Sequence, residues 1–351
     1  MWSVAGHNRT VRIFQRSLRE GRLGHAYLLV GRAHVGKMTL ALDVARALNC
    51  TGEAAPCGQC SACRRIVLNR HPDVMIVGLD TEKASKEGKT RKEISIDGVK
   101  AILRAASLPP FEGRYKVFII NDAECLSGEA ANCLLKTLEE PPARVLFLLL
   151  TARESGLLPT IVSRCIRLEL QPLPLSTVEA FLRERDVNAE KARTVARLSK
   201  GCPGWALNIA GDEGAWQQRS ELLTTLARVL DSGLEERFAF AAELGGRFEK
   251  DRAAVNELLE MWLDWWRDLL LVRAGSASDI VNFDQEEVLR RWAGAYSLQE
   301  IAGFIRHLIV AREQLRWNAN ARLALEVLML NLPNGNREET KEDVRLPSYR
   351  A

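Results

Sequence analysis

Tyr27-Leu28-Leu29-Val30-Gly31-Arg32-Ala33-His34-Val35-Gly36-Lys37-Met38-Thr39 is the stretch whose reading decides the fold. Its apolar start reads as a buried strand, and the apolar spacing after Lys37 is that of a helix. Between them Gly31 and Gly36-Lys37 stand at the phosphate-loop spacing. Glycines let the backbone turn its N–H groups toward phosphate oxygens, and the following helix adds its positive N-terminal dipole. Lys37 can reach the outer phosphates as a point charge. The next residue should carry a hydroxyl for magnesium, but it is Met38, whose thioether is a poor magnesium ligand. Thr39 has the hydroxyl one residue too late, rotated about 100° around the helix. The loop therefore keeps its shape and its lysine without its metal ligand. Read without a ligand, the same stretch is a glycine-rich turn from strand to helix.

Directly after that helix come Cys50, Cys57, Cys60 and Cys63. Four thiolates so close in sequence can wrap a tetrahedral zinc, which favours sulfur and imposes no geometry through d electrons. No histidine or carboxylate sits among the last three to open a catalytic position, so the expected role is structural. An iron–sulfur cluster is the other ligand this donor set admits. Gly52, Pro56 and Gly58 supply the turns.

With 351 residues the chain is too long for one ordinary core, and two or three domains are expected. Hydrophobic content of 47% with 27% charged residues is that of a globular protein. A net charge of +4 is compatible with nucleic acid but does not demonstrate it. No apolar run reaches membrane-spanning length, and charges interrupt Val4 to Leu23 where a signal peptide would need an apolar core. A cytoplasmic protein with no membrane partner is the default expectation. Eight cysteines in such a chain point to reduced thiols or metal.

Residues 9–20, with Val11, Ile13, Phe14 and Leu18 among arginines, predict an amphipathic helix. Strands are predicted at Val74–Val77, Tyr115–Ile120, Val145–Leu150 and Ile166–Leu170, with helices at Ile94–Ala106 and Glu129–Leu138. The run Glu139-Glu140-Pro141-Pro142 stops the latter. Asp80 to Glu93 is nearly all charged or small and reads as an exposed loop, its basic run Lys83, Lys86, Lys89, Arg91 and Lys92 as solvated surface. Strands alternating with helices, with phosphate chemistry at a strand end, predict a parallel α/β sheet. Beyond Pro172 and Pro174 the pattern is helical throughout. Apolar stripes run through Leu222, Leu223, Leu226 and Leu230, through Val255, Leu258, Leu259, Trp262, Trp266, Leu269 and Leu270, and through Ile301, Phe304, Ile305, Leu308 and Ile309. Residues from Asn334 onward are polar and read as disordered.

Several runs together carry a resemblance. They are Gly24-His25-Ala26-Tyr27, the four-cysteine module after the phosphate-loop helix, Ala130-Ala131-Asn132-Cys133-Leu134-Leu135-Lys136-Thr137-Leu138-Glu139-Glu140-Pro141-Pro142, Ser163-Arg164-Cys165, and Asn318 and Asn320 before Leu323, Leu325 and Glu326. In this order they resemble the clamp-loader AAA+ ATPases of bacterial DNA polymerase III, over residues 4–332. The resemblance implies an AAA+ α/β core over 1–171 with the zinc module at 50–63. A helical lid over 172–211 and an all-α collar over 212–332 that assembles five subunits would follow, then a tail over 333–351. Implied partners are other loader subunits of the gamma/tau and delta types, the sliding clamp through the complex, and primer–template DNA.

The resemblance also locates departures from an active ATPase. Gly31, Gly36, Lys37, Thr39, Asp122 and Thr151 would face a nucleotide. In active relatives the strand before Asp122 ends in Asp-Glu, the Glu polarising the attacking water; here Ala123 holds that place and Glu124 comes one residue late. A lid arginine of the active relatives is matched by Gly204. With Met38, three groups useful to hydrolysis are missing, so ATP or ADP is expected to bind weakly or not at all. Arg164 is kept, and in this family the Ser-Arg-Cys arginine reaches a neighbouring subunit's ATP as a finger in trans. Read alone, Arg164 is a surface arginine. The implied function is a non-hydrolysing assembly subunit; an active gamma/tau-type ATPase and a nucleotide-binding regulator outside replication are the other readings.

Overall fold

The computed structural model describes residues 2–79, 93–277, 280–317 and 319–335. The basic run from Lys83 to Lys92, Asn318 and the tail from residue 336 lie outside the described residues. By its contacts the chain divides into Met1–Leu207 and Asn208–Ala351.

The first unit is built on five parallel strands: β1 (Ala26–Val30), β2 (Val74–Val77), β3 (Lys116–Ile120), β4 (Val145–Thr151) and β5 (Ile166–Glu169). Their order across the sheet is β2-β3-β4-β1-β5, all pairs parallel. All residues of β1, β3 and β4 are buried, which is why those strands read as unbroken apolar runs. Alternate residues feed two cores. Tyr27 and Leu29 join Val117, Ile119, Leu146 and Leu148 on one face, while Leu28 joins Phe118, Ile120, Phe147 and Leu149 on the other. β5 is an edge strand with Ile166, Arg167 and Glu169 exposed.

Strand order reverses at β1, between β4 and β5, and such a switch point opens a crevice at the strand C-termini. The loop after β1 and the end of β4 both lie there: Val30 pairs with Thr151, and Gly31 N–H donates to Thr151 O at 3.1 Å. Helices Leu175–Arg183, Ala189–Leu198 and the start of Pro203–Gly211 complete this unit.

In the second unit, helices Glu213–Asp231, Leu234–Lys250, Arg252–Arg273, Glu286–Ala295, Leu298–Arg316 and Ala321–Leu330 surround one aromatic-rich core. Trp266 packs against Tyr296 and Phe304 at ring separations of 5.3 and 4.7 Å. The predicted stripes line this core except at one end. Ile309 is 44% exposed, because Leu308 beside it takes the inward position and one residue turns the helix by about 100°.

Candidate functional site

Gly31 opens the phosphate loop in a place no other residue fits. A Cβ there would lie 2.6 Å from Leu170 O, the residue by which the chain leaves β5. Gly36 closes the loop at φ +112°, in the left-handed region that favours glycine, and starts helix Lys37–Asn49. Lys37 Nζ turns back into the loop, donating to Gly31 O at 2.6 Å and Arg32 O at 2.8 Å. Burial lowers its pKa below that of a free lysine, against the opposing field of Glu124 and Asp122. Met38 sends its side chain to the apolar core, and Thr39 is half-buried in the first turn.

The other expected nucleotide-facing residues are engaged by the protein itself. Asp122 sits at φ 53° and accepts from Asn121 Nδ2 at 2.9 Å. Ala123 is fully buried. Glu124 Oε1 accepts Ala152 N–H at 3.0 Å, so the carboxylate one place late is directed at the end of β4. Thr151 is buried, and its hydroxyl accepts Arg153 N–H at 3.0 Å.

The lid rests directly on the loop. Gly204 N–H donates to His34 O at 3.0 Å, and a Cβ at 204 would stand 2.9 Å from that oxygen. Any side chain there, an arginine included, requires the loop or the lid to move. His7 Nε2 also meets the loop, bonding Val35 O at 2.9 Å, and burial lowers the His7 pKa, so the neutral ring is favoured and donates. The segment before His7 is tied down by buried Asp43, which accepts Ser3 N–H at 2.6 Å, Ser3 Oγ–H at 2.8 Å and Val4 N–H at 2.9 Å, and pairs with Arg46. Sequence reading passed over Asp43, because a single acid in a helix carries no periodic signal. Asp43→Ala is expected to destabilise the N-terminal unit by about 3 kcal/mol, since it strands Arg46 and three donors. Thermal unfolding checks this; a wild-type midpoint would mean that Ser3 and Arg46 find other partners.

The cysteine module stands apart from the loop. The Sγ atoms of Cys50, Cys57, Cys60 and Cys63 all lie within 4.8 Å of one another. A shared ion at the zinc–sulfur bond length needs sulfurs about 3.8 Å apart, so the donor set fits tetrahedral zinc. Backbone N–H groups support the sulfurs: Gly52 and Cys57 donate to Cys50 at 3.4 and 3.3 Å, Gln59 and Cys60 to Cys57 at 3.4 and 3.3 Å, and Cys63 to Cys60 at 3.5 Å. Burial pushes the Cys63 thiol up to about 12, whereas Cys60, against its burial, is brought down to about 5 by hydrogen bonds from Cys63 and Thr51. Thiols this crowded cannot all ionise until a cation balances them.

Arg164 lies on another part of the unit, after the short helix Pro159–Val162. Its Nη1 donates to Thr160 O at 2.9 Å, and its Nη2 pairs with Glu139, the last residue of helix Gly128–Glu139. Sequence reading took Glu139 only as part of a helix stop. The pairing joins residues 25 apart in sequence, which no local pattern announces.

A family model described as "DNA polymerase III, delta subunit" matches residues 6–174, and one for its C terminal part matches residues 213–333. The DNA polymerase III subunit delta' of Bacillus subtilis is 30% identical over 331 residues, which cover 93% of this chain and 96% of that one. The chain belongs to the delta' family of DNA polymerase III subunits. The delta' protein of Pseudomonas aeruginosa is 36% identical over 260 residues, 70% of each chain. The tau subunit of Salmonella typhimurium is 29% identical over 93% of this chain but only 52% of its own length. The two family-model matches fall on the parallel-sheet unit and on the helical C-terminal unit. Among the described residues no helix is long and apolar enough to cross a membrane.

Proposed function

We propose that this delta' family member is a non-hydrolysing subunit of the polymerase III clamp loader. It assembles with gamma/tau-type and delta-type subunits to place the sliding clamp on primed DNA, and it supplies Arg164 to a neighbour's nucleotide. The observation that carries the reading is the lid glycine seated on the phosphate loop. By the resemblance Gly204 stands for the lid arginine of active relatives, and its close contact with His34 O supports that reading by opposing any side chain there, while Met38 and Ala123 withhold the magnesium and water-polarising groups. Assembly is supported by helix Ala321–Leu330. It buries Ala324, Leu325, Leu328 and Met329, yet exposes Leu323, Val327 and Leu330, and a surface helix apolar on both faces fits a further partner. We assign zinc to the cysteine cluster, in a structural role.

The purified chain is expected to show no ATP turnover, and restoring Glu at Ala123 alone is not expected to create it. Magnesium-dependent hydrolysis by the wild-type chain that disappears in Lys37→Ala would overturn this reading and favour an active gamma/tau-type subunit.

A further inference from the structure

We infer that Glu139 is a positioning residue for Arg164, holding the guanidinium in the orientation from which it acts on a partner's nucleotide. The inference rests on the trans-finger reading of Arg164 and names the group that makes such a finger effective.

Glu139 occupies a position that its own helix disfavours. It is the last residue of Gly128–Glu139, where the helix dipole is negative and a carboxylate is repelled. The next residue, Glu140, adds a second acid, and Pro141 and Pro142 follow. Helix stability thus gives no reason for an acid at 139. Glu139 instead meets the guanidinium 25 residues further along the chain.

The hold on Arg164 has two ends. Thr160 O accepts from Nη1 at 2.9 Å, Ser163 Oγ lies 3.4 Å from the same nitrogen, and Glu139 Oε1 takes Nη2. A long, rotamer-rich side chain is thereby ordered before any phosphate arrives, and a preordered donor costs no reorganisation at the moment of reaction. The Arg164 side chain remains 32% exposed and that of Glu139 49%. The pair is therefore solvent-screened and weak as a stabiliser of the fold. Its partners also leave part of the five-donor fork for a phosphate.

The test uses the reconstituted complex with gamma/tau-type and delta-type subunits, read by DNA-stimulated ATPase. Glu139→Ala is expected to lower turnover at the one site that Arg164 serves, the part of the rate that Arg164→Ala removes, three- to tenfold with the KM for ATP changed less than twofold, because orientation is lost while the cation stays. E139Q, which keeps an acceptor oxygen, is expected to retain at least half the rate. In an Arg164→Ala background Glu139→Ala should cost nothing further. The Glu139→Ala chain alone should unfold at or above the wild-type temperature, since an acid has left a helix C-terminus. If Arg164→Ala lowers the rate and Glu139→Ala does not, this inference fails and the finger stands. An equal loss from Glu139→Ala with and without Arg164 also overturns it, since Glu139 would then act elsewhere. If Arg164→Ala has no effect, both readings fall together.

Discussion

Arg164→Ala is expected to leave the fold, the metal and subunit assembly intact while the loader loses DNA-stimulated ATPase and clamp loading. The separation follows from where Arg164 sits. Its ion pair with Glu139 is exposed at both ends, and the loss of such a pair changes stability by about 0.5 kcal/mol or less. An arginine stabilising charge on a transferring phosphoryl group is worth about 10³–10⁵ in rate where it acts alone. Only one partner site is touched, so a loss of about tenfold or more is expected at that single site. Arg164→Lys should rescue poorly, because an ammonium cannot reproduce the planar fork that Thr160 O and Glu139 hold from two sides. A complex with Arg164→Ala that assembles normally and loads clamps at the wild-type rate would return Arg164 to an ordinary surface role.

Removing the metal should have the largest effect on folding. Elemental analysis of protein purified without chelator is expected to find one zinc per chain. Chelation or Cys60→Ser should unfold the module around Cys50–Cys63 and lower the unfolding temperature of the N-terminal unit. Zinc sites contribute about 10–16 kcal/mol in small zinc-folded units. Here the loss is shared with a larger core, since helix Lys37–Asn49 leads directly into Cys50 and Ile66 of helix Ser61–Val67 is packed among its apolar residues. The effect should therefore appear as a partial melting, with far-UV signal lost from the module while β1, β3 and β4 persist. Protein that contains no metal and keeps its unfolding temperature in chelator would remove zinc from the account and leave four buried or half-buried thiols.

Local physics made much of this legible. β1, β3 and β4 are buried on both faces, so each had to be a continuous apolar run, and each was read within a residue or so of its observed ends. The phosphate loop and the cysteine module are set by spacing alone, because glycine conformation and metal geometry act over a few neighbouring residues. The expectation that the chain does not hydrolyse ATP rests on residue types at Met38, Ala123 and Gly204.

Which groups meet across the fold was decided only by tertiary structure. Gly204 reads in sequence as a missing arginine; in three dimensions it is a contact with His34 O that leaves no room for one. Glu139 reads as a helix stop, and only the packing of two distant segments sets it on Arg164. Asp43 reads as one acid in a helix, and only the returning N-terminus gives it three donors. Strand and helix periodicity express the forces between residues near in sequence, which the chain carries in its own order. These contacts join residues 25 to 170 positions apart, and such pairs come together only after the sheet has fixed where each segment ends.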